Sequence, residues 1–498
     1  MTSPPAGGRR RADCLTKSLD FGKRREDTIA VAAEVSAVRV SSLLIYLRAL
    51  SFNMDSRGWC SVVVLTTLLQ TPSIDCVAQV VFDNGMANEI QVSDGMMFPA
   101  GIVVRDSVDL SPTTVFVNSL PIGGGPSPGR SVAVYGSSLF RHGFGQISGD
   151  LFATDDSTIS LIFGSSVEGE ALITGSALLQ VGLSAGARKV TLNENARAEF
   201  TNSGPGVIEI AGNATASFNG GAMGNLTVTE NGFAEILYAD NNPTNPVSVV
   251  SGNATLIARN GLLSKILVQD NARFSTGFAG FDLVTVRDRG LAVVNFGAGA
   301  FGDLVATDGG TILLERYRTD FFSRLATLAR GGKITLDVTR TYPTEAASIL
   351  AESGSFVDLV RLRARGLTID ASDSFVNLSG GDLDELSITA KLGSEVSIRG
   401  GIFRDANLLI ETGSVVTFFG SGFLVEGLGP PGEFPMAGSV SGWLADGQAF
   451  AFDFTRQVSP GADAGLIRFV TVPEPAAWVL SVAGAFAGVA GLRRRLLR

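Results

Sequence analysis

The sequence predicts an all-β protein: a right-handed parallel β-helix, or β-solenoid, with coils of about 18–22 residues, followed by one C-terminal transmembrane helix. Three observations support this prediction. The 498-residue chain has 60 glycines and only 17% charged residues, which is typical of strands broken by frequent turns. A short motif recurs along the middle of the chain. A charge-free apolar run ends in a cluster of arginines.

The recurring motif is an asparagine followed by alanine or glycine, flanked by short strands of alternating apolar residues. It occurs at Asn195, Asn213, Asn231, Asn253 and Asn271, with separations of 18, 18, 22 and 18 residues. A unit of this size cannot bury its apolar face alone, whereas stacked units form a continuous core. The period therefore predicts one coil of a parallel β-helix per unit, with side chains alternating between core and solvent.

The repeat extends beyond these five asparagines. Arg289-Gly290 and Asp308-Gly309 continue the spacing, and weaker copies begin at Leu367, Leu386 and Leu408. The spaced leucines of leucine-rich repeats are missing, and a β-sandwich array would not keep so short a period. We expect the asparagines to take left-handed backbone geometry at one turn of each coil and to stack as a hydrogen-bonded ladder of side chains.

The N-terminal region contains a secretion signal that starts at Met54. An apolar stretch at 60–69 follows Arg57, and the small residues Cys76 and Ala78 suit the −3 and −1 positions of a cleavage site before Gln79. Residues 1–53 resemble no folded element. They are either an extended leader or the product of a wrongly assigned translation start.

The C-terminal region is ordered as a short motif, an apolar run and a basic cluster. Residues 476–492 carry no charge and are just long enough to span a bilayer. The arginines that follow would stay on the cytoplasmic side. A buried terminal helix with a solvated basic end is the alternative. The members of the motif and the cluster are Pro473, Glu474, Pro475, Arg493, Arg494 and Arg495.

This order of three elements resembles the PEP-CTERM sorting signal of exported bacterial proteins. The resemblance covers about 28 residues at the chain end. It implies secretion, transient anchoring in the inner membrane, recognition by an exosortase and cleavage near the Pro-Glu-Pro motif. The destination it implies is the cell surface, the outer envelope or the extracellular matrix. A membrane-anchored protein that keeps its tail is the alternative.

These features divide the chain into six segments. After the leader (1–53) come the signal peptide (54–78), an N-terminal cap region (79–131) and the β-helix repeats (132–426). A linker with a C-terminal β-hairpin cap follows (427–470), in which alternating strands flank Asp446 and Gly447. The sorting signal forms the last segment (471–498). Caps at both ends would protect open strand edges from aggregation.

Composition and motifs exclude several kinds of chemistry. The net charge is −9 and the basic residues are scattered or terminal, which argues against nucleic-acid binding. All three cysteines lie in the first 76 residues, so neither a disulfide framework nor a zinc site is predicted. The single histidine, His142, lies between glycine-rich residues and reads as a loop residue. The calcium-binding glycine-rich nonapeptide is absent, and we predict no metal and no cofactor.

Two acidic stretches are candidates for carboxylate catalysis. One is Asp155-Asp156, and the other contains Asp382, Asp384 and Glu385. A pair of carboxylates at a suitable separation could hydrolyse a glycosidic bond, but aspartate is equally common in turns. We therefore expect no catalytic residue and predict a structural or adhesive protein that contacts extracellular polysaccharide. A polysaccharide lyase or glycoside hydrolase is the alternative.

Overall fold

The structure is a computed structural model that describes residues 60–61, 80–83, 85–91, 101–106, 112–118, 122, 130–241, 247–295, 301–315, 324–337, 346–428, 434–457 and 464–472. The described residues are all-β, contain no helix and form about 14 turns of parallel β-solenoid, so the predicted solenoid is confirmed. The chain divides into two compact units, one of Met1–Glu209 with Asn213–Ala216 and the other of Ile210–Gly212 with Ser217–Arg498.

The first unit contains fourteen complete strands within the described residues. They are β1 (Cys60–Ser61), β2 (Val80–Phe82), β3 (Ala87–Gln91), β4 (Ile102–Val104), β5 (Thr114–Asn118), β6 (Arg130–Val134), β7 (Leu139–His142), β8 (Gly145–Ile147), β9 (Asp150–Ala153), β10 (Thr158–Leu161), β11 (Ser165–Ile173), β12 (Leu178–Val181), β13 (Gly186–Leu192) and β14 (Arg197–Thr201). Two further strands, β15 (Val207–Ile210) and β16 (Thr215–Met223), include residues of both units.

The second unit contains the remaining described strands. They are β17 (Asn225–Val228), β18 (Phe233–Asn241), β19 (Val247–Val250), β20 (Thr255–Val268), β21 (Arg273–Val286), β22 (Leu291–Asn295), β23 (Phe301–Thr307), β24 (Thr311–Glu315), β25 (Arg324–Arg330), β26 (Lys333–Asp337), β27 (Ala346–Glu352), β28 (Phe356–Arg361), β29 (Arg363–Ala364), β30 (Leu367–Ser372), β31 (Phe375–Leu378), β32 (Asp382–Asp384), β33 (Leu386–Lys391), β34 (Glu395–Ile398), β35 (Ile402–Arg404), β36 (Ala406–Ile410), β37 (Val415–Leu428), β38 (Ala437–Leu444), β39 (Ala449–Arg456) and β40 (Leu466–Thr471).

The core of the second unit is built from columns of buried apolar side chains. Strand β20 alternates between buried and accessible residues at both of its ends, as the sequence pattern predicts. Successive parallel strands place their inward residues in the same register. One such column contains Leu256, Phe274, Ala292, Ile312, Ile334, Val357, Val376, Val396, Val416 and Ile467.

A column of small residues explains why alanine or glycine follows each repeat asparagine. These residues are buried at the start of the strand that leaves the turn. A Cβ atom on Gly232 would lie 3.0 Å from the carbonyl oxygens of Ile210 and Thr229. The backbone of the preceding coil therefore limits the side chain at this position. The five are Ala196, Ala214, Gly232, Ala254 and Ala272.

Strands also occur in the segment expected to cap the N-terminal end. Strand β2 pairs in parallel with β4, and β3 pairs in parallel with β5, in the pattern of the later coils. Strand β1 lies inside the predicted signal peptide, and its Cys60 is in register with Asn88. Residues 1–59 and 62–79 lie outside the described part of the chain, and so do Cys76, Ala78 and Gln79 of the expected cleavage site.

The C-terminal segment departs from the parallel pattern. Strands β38 and β39 flank Asp446 and Gly447 and pair antiparallel with each other, and β38 also pairs antiparallel with β37. Phenylalanine rings fill this end. The ring centroid of Phe418 lies 5.0 Å from that of Phe450 and 5.4 Å from that of Phe452. Much of the phenylalanine content that the composition shows near the end of the chain is used here.

Candidate functional site

The repeat asparagines lie in stacked turns, which we call the turn ladder and define as the turns at 193–196, 211–214, 229–232, 251–254 and 269–272. Each turn has one residue with left-handed backbone geometry, and it is the residue before the asparagine. The φ angles are 60° at Glu194, 67° at Gly212, 57° at Glu230, 70° at Gly252 and 60° at Asp270. The expectation that asparagine itself takes this geometry is therefore wrong.

Contacts between neighbouring turns explain why the asparagine keeps a negative φ angle. The backbone N–H of Asn253 donates to the carbonyl oxygen of Glu230 at 2.6 Å, and that of Asn271 donates to Gly252 at 2.9 Å. The acceptor in both cases belongs to the left-handed residue of the preceding turn. The asparagine is thus held by the backbone ladder that joins one coil to the next.

The asparagine side chains stack as well. In the first unit Nδ2 of Asn213 lies 3.4 Å from Oδ1 of Asn195. In the second unit Nδ2 of Asn253 lies 3.3 Å from Oδ1 of Asn231, and Nδ2 of Asn271 lies 3.3 Å from Oδ1 of Asn253. All five side chains are exposed and hydrogen-bond to their own kind. This arrangement links coils and presents a row of amides to solvent.

Glycine and a carboxylate alternate at the left-handed position from one turn to the next, a feature that the sequence reasoning missed. The carboxylate accepts the backbone N–H of the glycine in the preceding turn. The pairs in the first unit are Gly136 with Asp155 at 3.1 Å and Gly175 with Glu194 at 2.8 Å. Those in the second unit are Gly212 with Glu230 at 2.8 Å and Gly252 with Asp270 at 3.0 Å.

This alternation assigns a structural role to Asp155, one of the candidate catalytic carboxylates. Its φ angle is 60° and its side chain accepts the N–H of Gly136. Its neighbour Asp156 is exposed at the next turn position. The signal was present in the sequence as a two-coil period, with glycine at 136, 175, 212 and 252 and an acid at 155, 194, 230 and 270.

The second candidate stretch lies on a small parallel sheet formed by β29, β32 and β35. Asp382 and Asp384 both accept from Arg404, whose Nη1 lies 2.8 Å from Oδ1 of Asp382. Arg363 also approaches Asp382, with Nε and Oδ2 3.3 Å apart. The hydrogen bonds to Asp384 and then Asp382 raise the pKa of Arg404. Glu385 instead has a left-handed φ of 53°.

A third charged cluster, in the first unit, was not predicted. Nζ of Lys189 lies 2.9 Å from Oε2 of Glu209 and 3.2 Å from Oε1 of Glu170. Thr191 also donates to Glu170. The hydrogen bond to Glu209 raises the pKa of Lys189, and the hydrogen bond from Thr191 lowers the pKa of Glu170. The lysine is thus held as a cation, the opposite of what a lysine general base requires.

His142 occupies a different place from the one expected. It is the last residue of β7, is fully buried and has Nδ1 3.0 Å from Oγ of Ser165. Because Ser165 donates its hydroxyl to a backbone carbonyl, such as that of Ile162 at 2.8 Å, its oxygen accepts the imidazole N–H. The prediction of a loop histidine is wrong. A fully buried imidazole cannot act on a dissolved substrate.

No protein-family model matches the chain, and neither the curated proteins nor the solved structures yield a match. The site is therefore argued from its geometry alone. Within the described ranges, no group of three or more histidine, cysteine or acidic side chains is placed to hold a metal ion. The same ranges contain no helix of sufficient length and apolarity to cross a membrane. Residues 473–498, with the whole predicted sorting motif, lie outside the described part.

Proposed function

We propose that this chain is an exported structural or adhesive protein of the bacterial cell surface or extracellular matrix, delivered by its C-terminal tail. The observation that carries the proposal is the use of the charged side chains. The carboxylates that the sequence offered for catalysis bind backbone N–H groups or arginines of neighbouring coils, as Asp155, Asp382 and Asp384 do. This use favours a body whose polar groups serve assembly of the coils.

The route of export is part of the same proposal. A transmembrane helix at 476–492 would hold the chain in the inner membrane, with the arginines on the cytoplasmic side. An exosortase would then recognise Pro473-Glu474-Pro475, after the secretion machinery had removed the signal peptide before Gln79. The order of these elements in the sequence supports this route. We take the solenoid as right-handed because parallel strand connections have that hand in nearly all proteins.

The ligand in this proposal is extracellular polysaccharide. The turn ladder presents exposed amides at Asn195 and Asn213 in the first unit and at Asn231, Asn253 and Asn271 in the second. Amide groups donate and accept hydrogen bonds and so suit the hydroxyl groups of sugars. Their regular spacing along the coils would give many weak contacts to a long polymer, which is how multivalent binding gains strength.

Export is tested by following the full chain and a variant in the producing cells. We expect the wild type outside the inner membrane and the triple variant Pro473→Ala, Glu474→Ala and Pro475→Ala retained in it with its tail intact. Glu426→Ala, at an exposed glutamate of β37, is the matched control and should be exported normally. Equal export of the triple variant and the control would contradict the proposed sorting route.

A polysaccharide-degrading enzyme is the second candidate, and one observation favours it. The small sheet brings Asp382 and Asp384 together with Arg363 and Arg404. Carboxylates beside arginines are what such chemistry would use. Incubation with a panel of polysaccharides tests it: release of reducing or unsaturated ends that is lost in Asp382→Asn but kept in Asp156→Asn would favour the enzyme. No release of such ends would favour the structural protein.

A further inference from the structure

The chain leaves the solenoid of the second unit at its last strand. Strand β40 pairs in parallel with β37, and the N–H of Val472 donates to the carbonyl of Gly420 at 2.8 Å. The described chain ends there, and the apolar run of the tail begins at Ala476. Four residues of fully extended chain span about 14 Å at most. If the tail enters a bilayer, this end of the unit must lie at the membrane surface.

Large apolar side chains are exposed at this end. We call them the terminal apolar surface and define it as Leu424, Trp443, Leu466 and Val470. Their exposed fractions are 55%, 56%, 41% and 40%. Isolated exposed apolar residues need no explanation, but four near one chain exit, including a tryptophan, indicate a contact.

Strand pairing places Trp443 beside the chain exit. Gly420 is in register with Leu444 on one strand and with Thr471 on another. The Trp443 indole lies near Gly422, where a Cβ atom would be 3.3 Å from its Cδ1 atom. Among the described strands, β40 pairs with β37 alone, so its residues border the end of the sheet.

Charge does not select the partner of this surface. Exposed Arg399 and Arg468 lie on the same last coils as exposed Glu426 and Asp446, so both signs are present. A contact made here would depend on burial of apolar area and not on attraction to anionic lipids. Tryptophan is also the side chain that favours the headgroup level of a bilayer, where one end is apolar and the other hydrated.

We propose that the terminal apolar surface lies in the interfacial layer of the phospholipid bilayer that holds the tail. This inference rests on the proposed function, because it needs residues 476–492 to be membrane-inserted. The unit would then stand on the membrane by its last coil until the tail is cleaved. Trp443 supplies the amphipathic contact, and the three aliphatic side chains supply apolar area.

Tryptophan fluorescence tests the contact, since the chain has only three tryptophans, Trp59, Trp443 and Trp478. The full chain is reconstituted in phosphatidylcholine vesicles with and without brominated acyl chains. Trp59→Phe with Trp478→Phe leaves Trp443 as the only reporter. We expect bromine near the headgroups to reduce Trp443 emission more than bromine at the bilayer centre. The quenching should be insensitive to salt.

Two further variants separate the possible failures. Trp59→Phe with Trp443→Phe leaves Trp478 as a reporter of tail insertion. A third protein lacks all three tryptophans and carries Phe278→Trp at an exposed position, eight strand pairings from β40 and thus about 38 Å away. Its emission should be unaffected by the brominated lipid.

Each outcome has one meaning. Quenching of Trp443 and Trp478 without quenching at position 278 supports the proposal. Quenching of Trp478 alone overturns the contact but leaves the tail as a membrane anchor. Absence of Trp478 quenching overturns the proposed export route, and the contact with it. Equal quenching of Trp443 and the tryptophan from Phe278→Trp shows general adsorption and also overturns the contact.

Discussion

Replacement of Gly252 by alanine is expected to destabilise the solenoid by about 2–4 kcal/mol, which combines left-handed strain with a steric overlap. Gly252 has a φ of 70°, and an added Cβ atom would lie 2.9 Å from the amide nitrogen and 3.0 Å from the Cα atom of Glu230. Since these are backbone atoms, they cannot move aside without shifting the preceding turn.

Gly354 provides the matched control for this change. Its φ is 72°, nearly the same as that of Gly252, but an added Cβ atom would meet nothing within 4 Å. Alanine at this position should cost about 1 kcal/mol, the left-handed strain alone. The loss of unfolded-chain entropy is common to both substitutions and cancels in the comparison. The difference therefore measures the close approach of stacked turns.

Urea unfolding followed by far-UV circular dichroism gives the two free energies, provided that the slope of the transition is unchanged. Because a solenoid can unfold in parts, hydrogen exchange at the amide of Asn253 supplies a local readout. That amide donates to Glu230 and should exchange faster in Gly252→Ala. Equal destabilisation by Gly252→Ala and Gly354→Ala would refute the reasoning.

Three other substitutions follow from the same geometry. Asn253→Ala removes two exposed side-chain hydrogen bonds of the turn ladder and should cost about 1 kcal/mol in urea unfolding. Phe418→Ala empties part of the aromatic cluster and should cost about 3–5 kcal/mol, read as a lower midpoint of thermal unfolding. Glu170→Gln should cost roughly 0.5 kcal/mol near neutral pH, since the pair with Lys189 is largely exposed. Because the folded-state pKa of Glu170 is lowered, its contribution is present above the ordinary value of 4.5 and disappears as pH falls below it. The stabilities of wild type and Glu170→Gln should therefore converge in acid.

The repeat could be predicted because each coil returns the chain to the same register. A buried position must then recur at a nearly fixed interval, and the small residue after each asparagine recurs for the same reason. Ala254 and Ala272 illustrate it: both are fully buried at the start of equivalent strands. Sequence alone therefore indicated the period, the strands and the position of the turn.

The backbone geometry of the turn could not be predicted from local preferences. Asparagine, glycine and aspartate all tolerate left-handed angles, and the turns contain two of them side by side. Contact with the preceding coil decides which residue takes the angle, as at Gly252 and Asn253. The pairing of glycine with a carboxylate requires a comparison of every second coil, which a search for a single-coil period overlooks.

The charged clusters and the histidine show the same limit. Neighbouring strands bring Glu170 and Lys189 into register, although 19 residues separate them in the chain. The glycine after His142 suggested a loop, but it reflects crowding: a Cβ atom on Gly143 would lie 2.8 Å from Oδ1 of Asn118. Both features depend on contacts between coils that the local sequence does not encode.

The mass of the intact protein recovered from outside the producing cells tests the central claim most directly. The account predicts a mature chain that begins at Gln79, ends near Pro473-Glu474-Pro475 and lacks Arg493, Arg494 and Arg495. Recovery of the full 498-residue chain, found only inside the cell, would contradict it.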